Sequence, residues 1–247
     1  MTAPRLDPAE HDWMRADTTR RVMAALDAAR PGGARFVGGC VRNALIGAEV
    51  RDIDIATQLL PQAVMDAARK AGLKAVPTGI DHGTITVICE GQPFEVTTLR
   101  RDVETDGRRA VVAFTEDWTE DARRRDFRLN ALYADMDGVI HDPTGGLADL
   151  ADRRFVFVGN AEERIREDYL RILRLFRFEA WYGAGTPDPA AIAAVAALKD
   201  GLHNLSAERV WSELKKLLSA RDPGPAVTVM REIGLLEILL GVNGSLR

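Results

Sequence analysis

Asp52 and Asp54 stand one residue apart, close behind a Gly38-Gly39-Cys40-Val41-Arg42 turn, and this spacing suits a divalent cation held against a phosphate. The run Asp52-Ile53-Asp54-Ile55-Ala56-Thr57 alternates polar and branched apolar residues, which predicts a strand with both aspartates on one face. Two neighbouring carboxylates repel each other unless a cation lies between them. Mg²⁺ takes oxygen ligands and bridges one or two carboxylates to substrate phosphates. The paired glycines let the backbone approach a phosphate closely. A short helix starting near Cys40 would aim its first N–H groups, and Arg42, at the same phosphate. An isolated Asp-x-Asp is common at strand ends. The glycine turn and the arginine ahead of it move the reading to metal chemistry.

Three further segments carry groups suited to a nucleotide. Phe94-Glu95-Val96-Thr97-Thr98-Leu99 reads as a strand with Glu95, Thr97 and Leu99 on one face. Beside the two aspartates, Glu95 could complete the metal site or accept the proton of an attacking hydroxyl. Equally it could be a surface residue just after a turn, and the sequence favours neither. Residues 120–132 mix Arg123, Arg124, Arg125 and Arg128 with Asp126 and Asn130. Arginine offers a fixed fork of donors to a phosphate, while Asp and Asn can hold ribose hydroxyls. The plainer alternative is a helix joint whose charges pair with one another. In Glu167–Phe178, read as one helix, Asp168, Arg171 and Arg174 fall at i+3 steps on one face, and Arg177 continues the set. Such a strip could read a base edge and hold a triphosphate, or be a salt-bridged helix surface. His11, His82, His141 and His203 lack metal-ligand spacing, and no Gly-x-x-x-x-Gly-Lys-[Ser/Thr] occurs. Metal phosphohydrolases and P-loop proteins are therefore poor fits.

These groups need a scaffold, and the chain punctuates one. A helix is expected over 17–30, ended by Pro31-Gly32-Gly33, and Phe36-Val37 feeds the glycine turn as a strand end. Pro61 to Ala71 reads as a helix closed by Gly72. Lys74–Val76, Thr84–Cys89 and Phe94–Leu99 read as strands, the last two joined across Glu90-Gly91-Gln92-Pro93. Residues 101–110 read as a mobile charged loop, 119–132 as helical, Asp137-Gly138 as a hairpin turn, and Phe155–Val158 as a last strand. From Asn160 the pattern is helical, broken at Gly183-Ala184-Gly185-Thr186-Pro187. The 247 residues are 46% hydrophobic and 28% charged, ordinary values for a soluble globular protein. No apolar run approaches the ~20 residues of a membrane span, and Asp7, Glu10 and Asp12 are unlike a secretory signal. Two cysteines point to a reducing cytoplasm. With a net charge of −4 and arginine gathered in two places, a polyphosphate site fits better than general DNA binding. Neither a membrane nor DNA is an expected partner.

In order along the chain, Gly38–Thr57, Pro77–Thr84, Phe94–Arg100, Arg124–Ala131, Asp142–Leu150, Glu167–Phe178 and Ser206–Leu214 resemble the class II tRNA nucleotidyltransferases. These are the CCA-adding enzymes of the polymerase-β-like superfamily. The resemblance implies an α+β fold: a nucleotidyltransferase head of mixed sheet and helices over residues 1–158, then an all-α neck and the start of a body over 159–247. It implies Mg²⁺ on Asp52 and Asp54, and contacts to the incoming nucleotide from Gly39, Arg42, Arg125, Asp168, Arg171, Arg174 and Arg177; Asp126 joins them as a candidate for the ribose. The implied reaction adds CMP and AMP from CTP and ATP to the 3′ end of tRNA and releases diphosphate. Poly(A) polymerase-type, CC-only or A-only addition, and a non-catalytic tRNA- or nucleotide-binding fragment, are the alternatives. The form Gly79-Ile80-Asp81-His82-Gly83-Thr84 is similar to the tRNA enzymes and unlike the poly(A) polymerases. Asn43 stands where the family has aspartate, and Arg128 where it has threonine. The chain stops at Arg247 while relatives continue, so the grip on tRNA is expected to be incomplete.

Overall fold

Short β-branched runs between glycine and proline breaks become nine strands in the computed structural model, which describes residues 4–105, 110–185 and 187–241. They are β1 (Ala34–Val37), β2 (Asp54–Thr57), β3 (Lys74–Gly79), β4 (Thr84–Cys89), β5 (Gln92–Thr98), β6 (Arg100–Thr105), β7 (Ala110–Phe114), β8 (Tyr133–Ala134) and β9 (Ile140–His141). β6 and β7 pair separately; the other seven form one sheet in the order β3-β4-β5-β2-β1-β8-β9. Only β2 and β5 run parallel in it, and their register sets Asp54 opposite Glu95. Helices α1 (Asp12–Arg15), α2 (Asp17–Ala29), α3 (Gly39–Leu45), α4 (Pro61–Lys70) and α5 (Trp118–Arg123) complete this first unit, which takes residues up to 104, 110–125 and 129–147.

Alternation decides which sheet face is buried. Ile85, Val87 and Cys89 of β4, and Phe94, Val96 and Thr98 of β5, point inward, where α2 and α4 contribute Val22, Leu26, Val64 and Ala68. Each fully buried large apolar side chain contributes roughly 1.5–3 kcal/mol. A one-residue slip of β5 would drive Glu95 and Thr97 into this core, so burial fixes the register that places Glu95 beside Asp54. The β4–β5 connection is shorter than expected: Glu90 (φ 51°) and Gly91 (φ 84°) make a two-residue turn, whose paired positive φ matches the twist of the strands.

The second unit takes residues 126–128 and those from 148 on. It contains α6 (Ala161–Glu167), α7 (Leu170–Tyr182), α8 (Pro189–Leu198), α9 (Ala207–Leu218), α10 (Gly224–Glu232) and α11 (Leu235–Leu240). α7 packs against α9 and α10, and buries Ile172, Leu173, Leu175, Phe176 and Phe178. Asn160, Asp188 and Ser206 cap α6, α8 and α9 by accepting backbone N–H groups of the first turn. The expected head of mixed sheet followed by a helical region is thus the fold observed.

Five local expectations are corrected. β2 starts at Asp54, which leaves Asp52 in its lead-in. Residues 101–105 are strand; 106–109 lie outside the described residues. α5 stops at Arg123, because 126–128 bond sideways: Arg128 N–H donates to Val156 O, and Val158 N–H to Asp126 O. Phe155–Val158 makes only a single bridge, Phe157 to Phe127, since its aromatic rings pack with Phe127 and Phe178. The Glu167–Phe178 helix is broken at Asp168, which is extended (φ −155°) and caps the next helix through its carboxylate and Leu170 N–H.

Candidate active site

Gly38 closes β1 with φ 72° and ψ −122°, a conformation that side chains disfavour, and α3 starts at the next residue. That turn lies against Asp54: the Cys40 thiol sits 3.7 Å from the Asp54 carbonyl oxygen. Ile53 and Ile55 are buried, while Asp52 is exposed and Asp54 half-buried, so the two aspartates keep to one side despite the late strand start. Burial, then the Glu95 charge, push the Asp54 carboxyl up to about 6; Asp52 adds to this and Arg125 opposes it. Three acidic groups therefore crowd the central strands β2 and β5 and the lead-in to β2. Burial also raises the Cys40 thiol to about 11, which makes it a packing residue and not a nucleophile.

Arg125 is held by a buried clamp. Asp121, 1% exposed, accepts from Arg125 Nη2 (3.0 Å), Arg124 Nε (2.9 Å), the Tyr133 hydroxyl (2.7 Å) and Arg100 N–H (3.2 Å). Burial alone would raise the Asp121 carboxyl, but Arg125 and Arg124, with the hydroxyl and N–H, outweigh it and hold it down at about 2. The other arm of the guanidinium faces the glycine turn, with Nη1 3.8 Å from where a Gly38 Cβ would stand.

Arg42 is buried too. Its Nε and Nη2 donate to Asn43 Oδ1 (3.1 and 2.8 Å), and its Nη1 to Asn130 Oδ1. The Asn43 departure has a local use, because its Nδ2 donates to Glu49 O at 2.7 Å, which an aspartate could not do. The other departure, Arg128, turns to the buried Asp149 at 3.0 Å, which also faces Arg154.

In the second unit each predicted arginine meets an oxygen partner. Arg174 Nε donates to Asp126 (2.8 Å), Arg177 Nε to the buried Glu213 (2.7 Å), and Arg171 Nη1 to Glu167 (2.6 Å) and Arg164 O (2.9 Å). Asp168 pairs with Arg209 at 2.8 Å. The predicted residues thus fall into two sets: Gly39, Arg42, Asp52, Asp54, Glu95 and Arg125 in the first unit, and Asp126, Asp168, Arg171, Arg174 and Arg177 in the second. Sequence reasoning missed Asp121, Tyr133, Glu213 and Arg209. Asp121 carried a signal, lying three and four residues before Arg124 and Arg125. Tyr133, on a different element from Arg125 and Asp121, carried none.

Residues 34–156 match the family described as the poly A polymerase head domain. Residues 186–241 match the one described as the probable RNA and SrmB-binding site of polymerase A. The chain is 45% identical over 219 residues to the CCA tRNA nucleotidyltransferase 1, mitochondrial, of Homo sapiens, covering 86% of this chain and 50% of that protein. It is 43% identical over 206 residues to the protein of the same name from Danio rerio (82% and 48%). Its fold is similar to the crystal structure of the Bacillus stearothermophilus CCA-adding enzyme in complex with CTP, with a TM-score of 0.78 and 34% identity, covering 89% of this chain and 53% of that one. The chain spans about half the length of the curated relatives it matches.

Proposed function

The chain belongs to the CCA-adding nucleotidyltransferase family, and from that premise we propose that it adds CMP and AMP, from CTP and ATP, to the 3′ end of tRNA with release of diphosphate. The observation that carries this reading is the parallel β2–β5 register, which brings Asp54 and Glu95 side by side with Asp52 adjacent. Their donor chemistry fits Mg²⁺: all are hard oxygens, and a carboxyl driven up by burial and like charge gains from a divalent cation. Among the described residues no three His, Cys, Asp or Glu side chains form a ready ligand set. Mg²⁺ takes one or two carboxylates and completes its shell with water and phosphate oxygens. Asp52 and Asp54 would hold it, and when bound it supplies neutralisation of phosphate charge and acidification of a coordinated hydroxyl.

The remaining roles belong to the chain's own groups. Glu95 accepts the proton of the attacking 3′-hydroxyl. Arg125, oriented by Asp121, donates to the triphosphate over the glycine turn, where Gly39 leaves room, and Arg42 braces that turn. Asp168 and Arg171 read the base: C and A present an amine beside an unprotonated ring nitrogen, whereas U and G present a carbonyl beside an N–H. Asp126, Arg174 and Arg177 serve the ribose and phosphates. Two buried thiols fit a cytoplasmic location, and no helix among the described residues is long and apolar enough to cross a membrane.

The test offers CTP and ATP, singly and together with Mg²⁺, to tRNA lacking its 3′ CCA and to an unrelated RNA. The proposal expects C followed by A on the tRNA. An A-only tail on either RNA would favour the poly(A) polymerase-type reading, and no incorporation would favour a binding fragment.

A further inference from the structure

We infer that Arg209 is a specificity-determining positioning residue, which fixes the Asp168 carboxylate in the orientation that rejects uracil and guanine. This rests on the proposed base-reading role of Asp168. Arg209 Nη2 donates to Asp168 Oδ2 at 2.8 Å, while Asp168 Oδ1 accepts Leu170 N–H at 3.1 Å. Each oxygen therefore has one donor that sets its direction. A carboxylate carries about four lone-pair sites, so both oxygens keep capacity to accept a base amine.

Arg171, the other proposed reader, directs its Nη1 to Glu167 and Arg164 O. Backbone torsion cannot hold the carboxylate. Asp168 sits in the extended joint between α6 and α7, outside both helices, where its only other hydrogen bond among the described residues is from Leu170 N–H and the Arg174 charge also acts on it. Arg209 stands in the first turn of α9, where the helix dipole disfavours a cation. A residue placed against local preference needs another reason, and the Asp168 contact supplies one. The pair is partly exposed on both sides, so it contributes little to stability and can be altered without unfolding the unit.

The physical consequence is one of rejection. A fixed carboxylate faces the carbonyl oxygen of U or G and repels it, with no escape by rotation. Without Arg209 the carboxylate swings aside and the wrong base meets less repulsion. C and A, which supply an amine donor, draw the carboxylate back and lose little.

The experiment measures dissociation constants of CTP, UTP, ATP and GTP for the 247-residue chain and its Arg209→Ala, Arg209→Lys and Asp168→Ala variants, with thermal midpoints alongside. Arg209→Ala is expected to shrink the UTP/CTP and GTP/ATP ratios by about tenfold, the worth of one ordinary polar contact. CTP and ATP affinities and the midpoint should stay close to the parent. Arg209→Lys should recover most of the ratio. If Asp168→Ala shrinks the ratios and Arg209→Ala does not, the inference about Arg209 falls and the reading of Asp168 stands. If Arg209→Ala weakens all four nucleotides alike, Arg209 is structural and the inference falls. If neither variant changes the ratios, the base-reading role falls and takes the inference with it.

Discussion

Replacing Asp121 by asparagine keeps shape and removes one charge from a side chain that two arginines, a tyrosine hydroxyl and a backbone N–H all address. The carboxyl lies at about 2, against 3.8 for a free aspartate. At ~1.4 kcal/mol per pH unit, the charged form is favoured in the fold by ~2 kcal/mol. The sign follows from the depressed value: this stability is present in full above pH ~4 and is lost as pH falls toward 2. Asparagine adds a second penalty, because its Nδ2 faces donors and leaves Arg124 and Arg125 short of charge in a buried place. Removing one partner of a buried ion pair costs about 3–5 kcal/mol. Urea unfolding of both proteins at pH 7 should therefore show Asp121→Asn less stable by about that amount, with the gap narrowing from pH 4 to pH 3. Nucleotide affinity should fall with it, since Arg125 loses its orientation. A loss under ~1 kcal/mol at pH 7, or a gap that does not change with pH, would refute the clamp.

Glu179 is the opposite case: burial raises its carboxyl to about 7, against the pull of Phe155 N–H. A raised value means the fold prefers the proton, so stability falls as pH climbs from 4.5 to 7; Glu179→Gln should remove that slope and gain up to ~3 kcal/mol above pH 7 by thermal or urea unfolding. Gly38→Ala should lose ~1–2 kcal/mol, because φ 72° places a side chain in the left-handed region, and nucleotide affinity should drop as the turn shifts; a midpoint and affinity equal to the parent would argue against the turn's role.

What the sequence disclosed was local. Period-two alternation around Asp54 and Glu95, the proline start and glycine end of α4, and the helix over 17–29 were all readable, because each depends on neighbours in the chain. The partners of Arg174 and Arg177 were not, since Arg174–Asp126 and Arg177–Glu213 join residues tens of positions apart. Phe155–Val158 was misread because a short apolar run suits a strand and an aromatic cluster equally well. The break at Asp168 had a legible cause: an aspartate ahead of an apolar helix is a natural cap. The i+3 spacing of the charges alone suggests one helix where the chain forms two.

The central claim, nucleotidyl transfer at the Asp52–Asp54–Glu95 cluster, is tested most directly by labelled CMP incorporation into tRNA lacking its CCA end. The assay compares the parent with Asp52→Asn and Asp54→Asn, with Mg²⁺ present and then chelated. The account predicts incorporation by the parent that chelation abolishes, and none above background from either variant, while thermal midpoints are unchanged or higher because like-charge repulsion is relieved. Incorporation within a few-fold of the parent in both folded variants, or full activity after chelation, would contradict it.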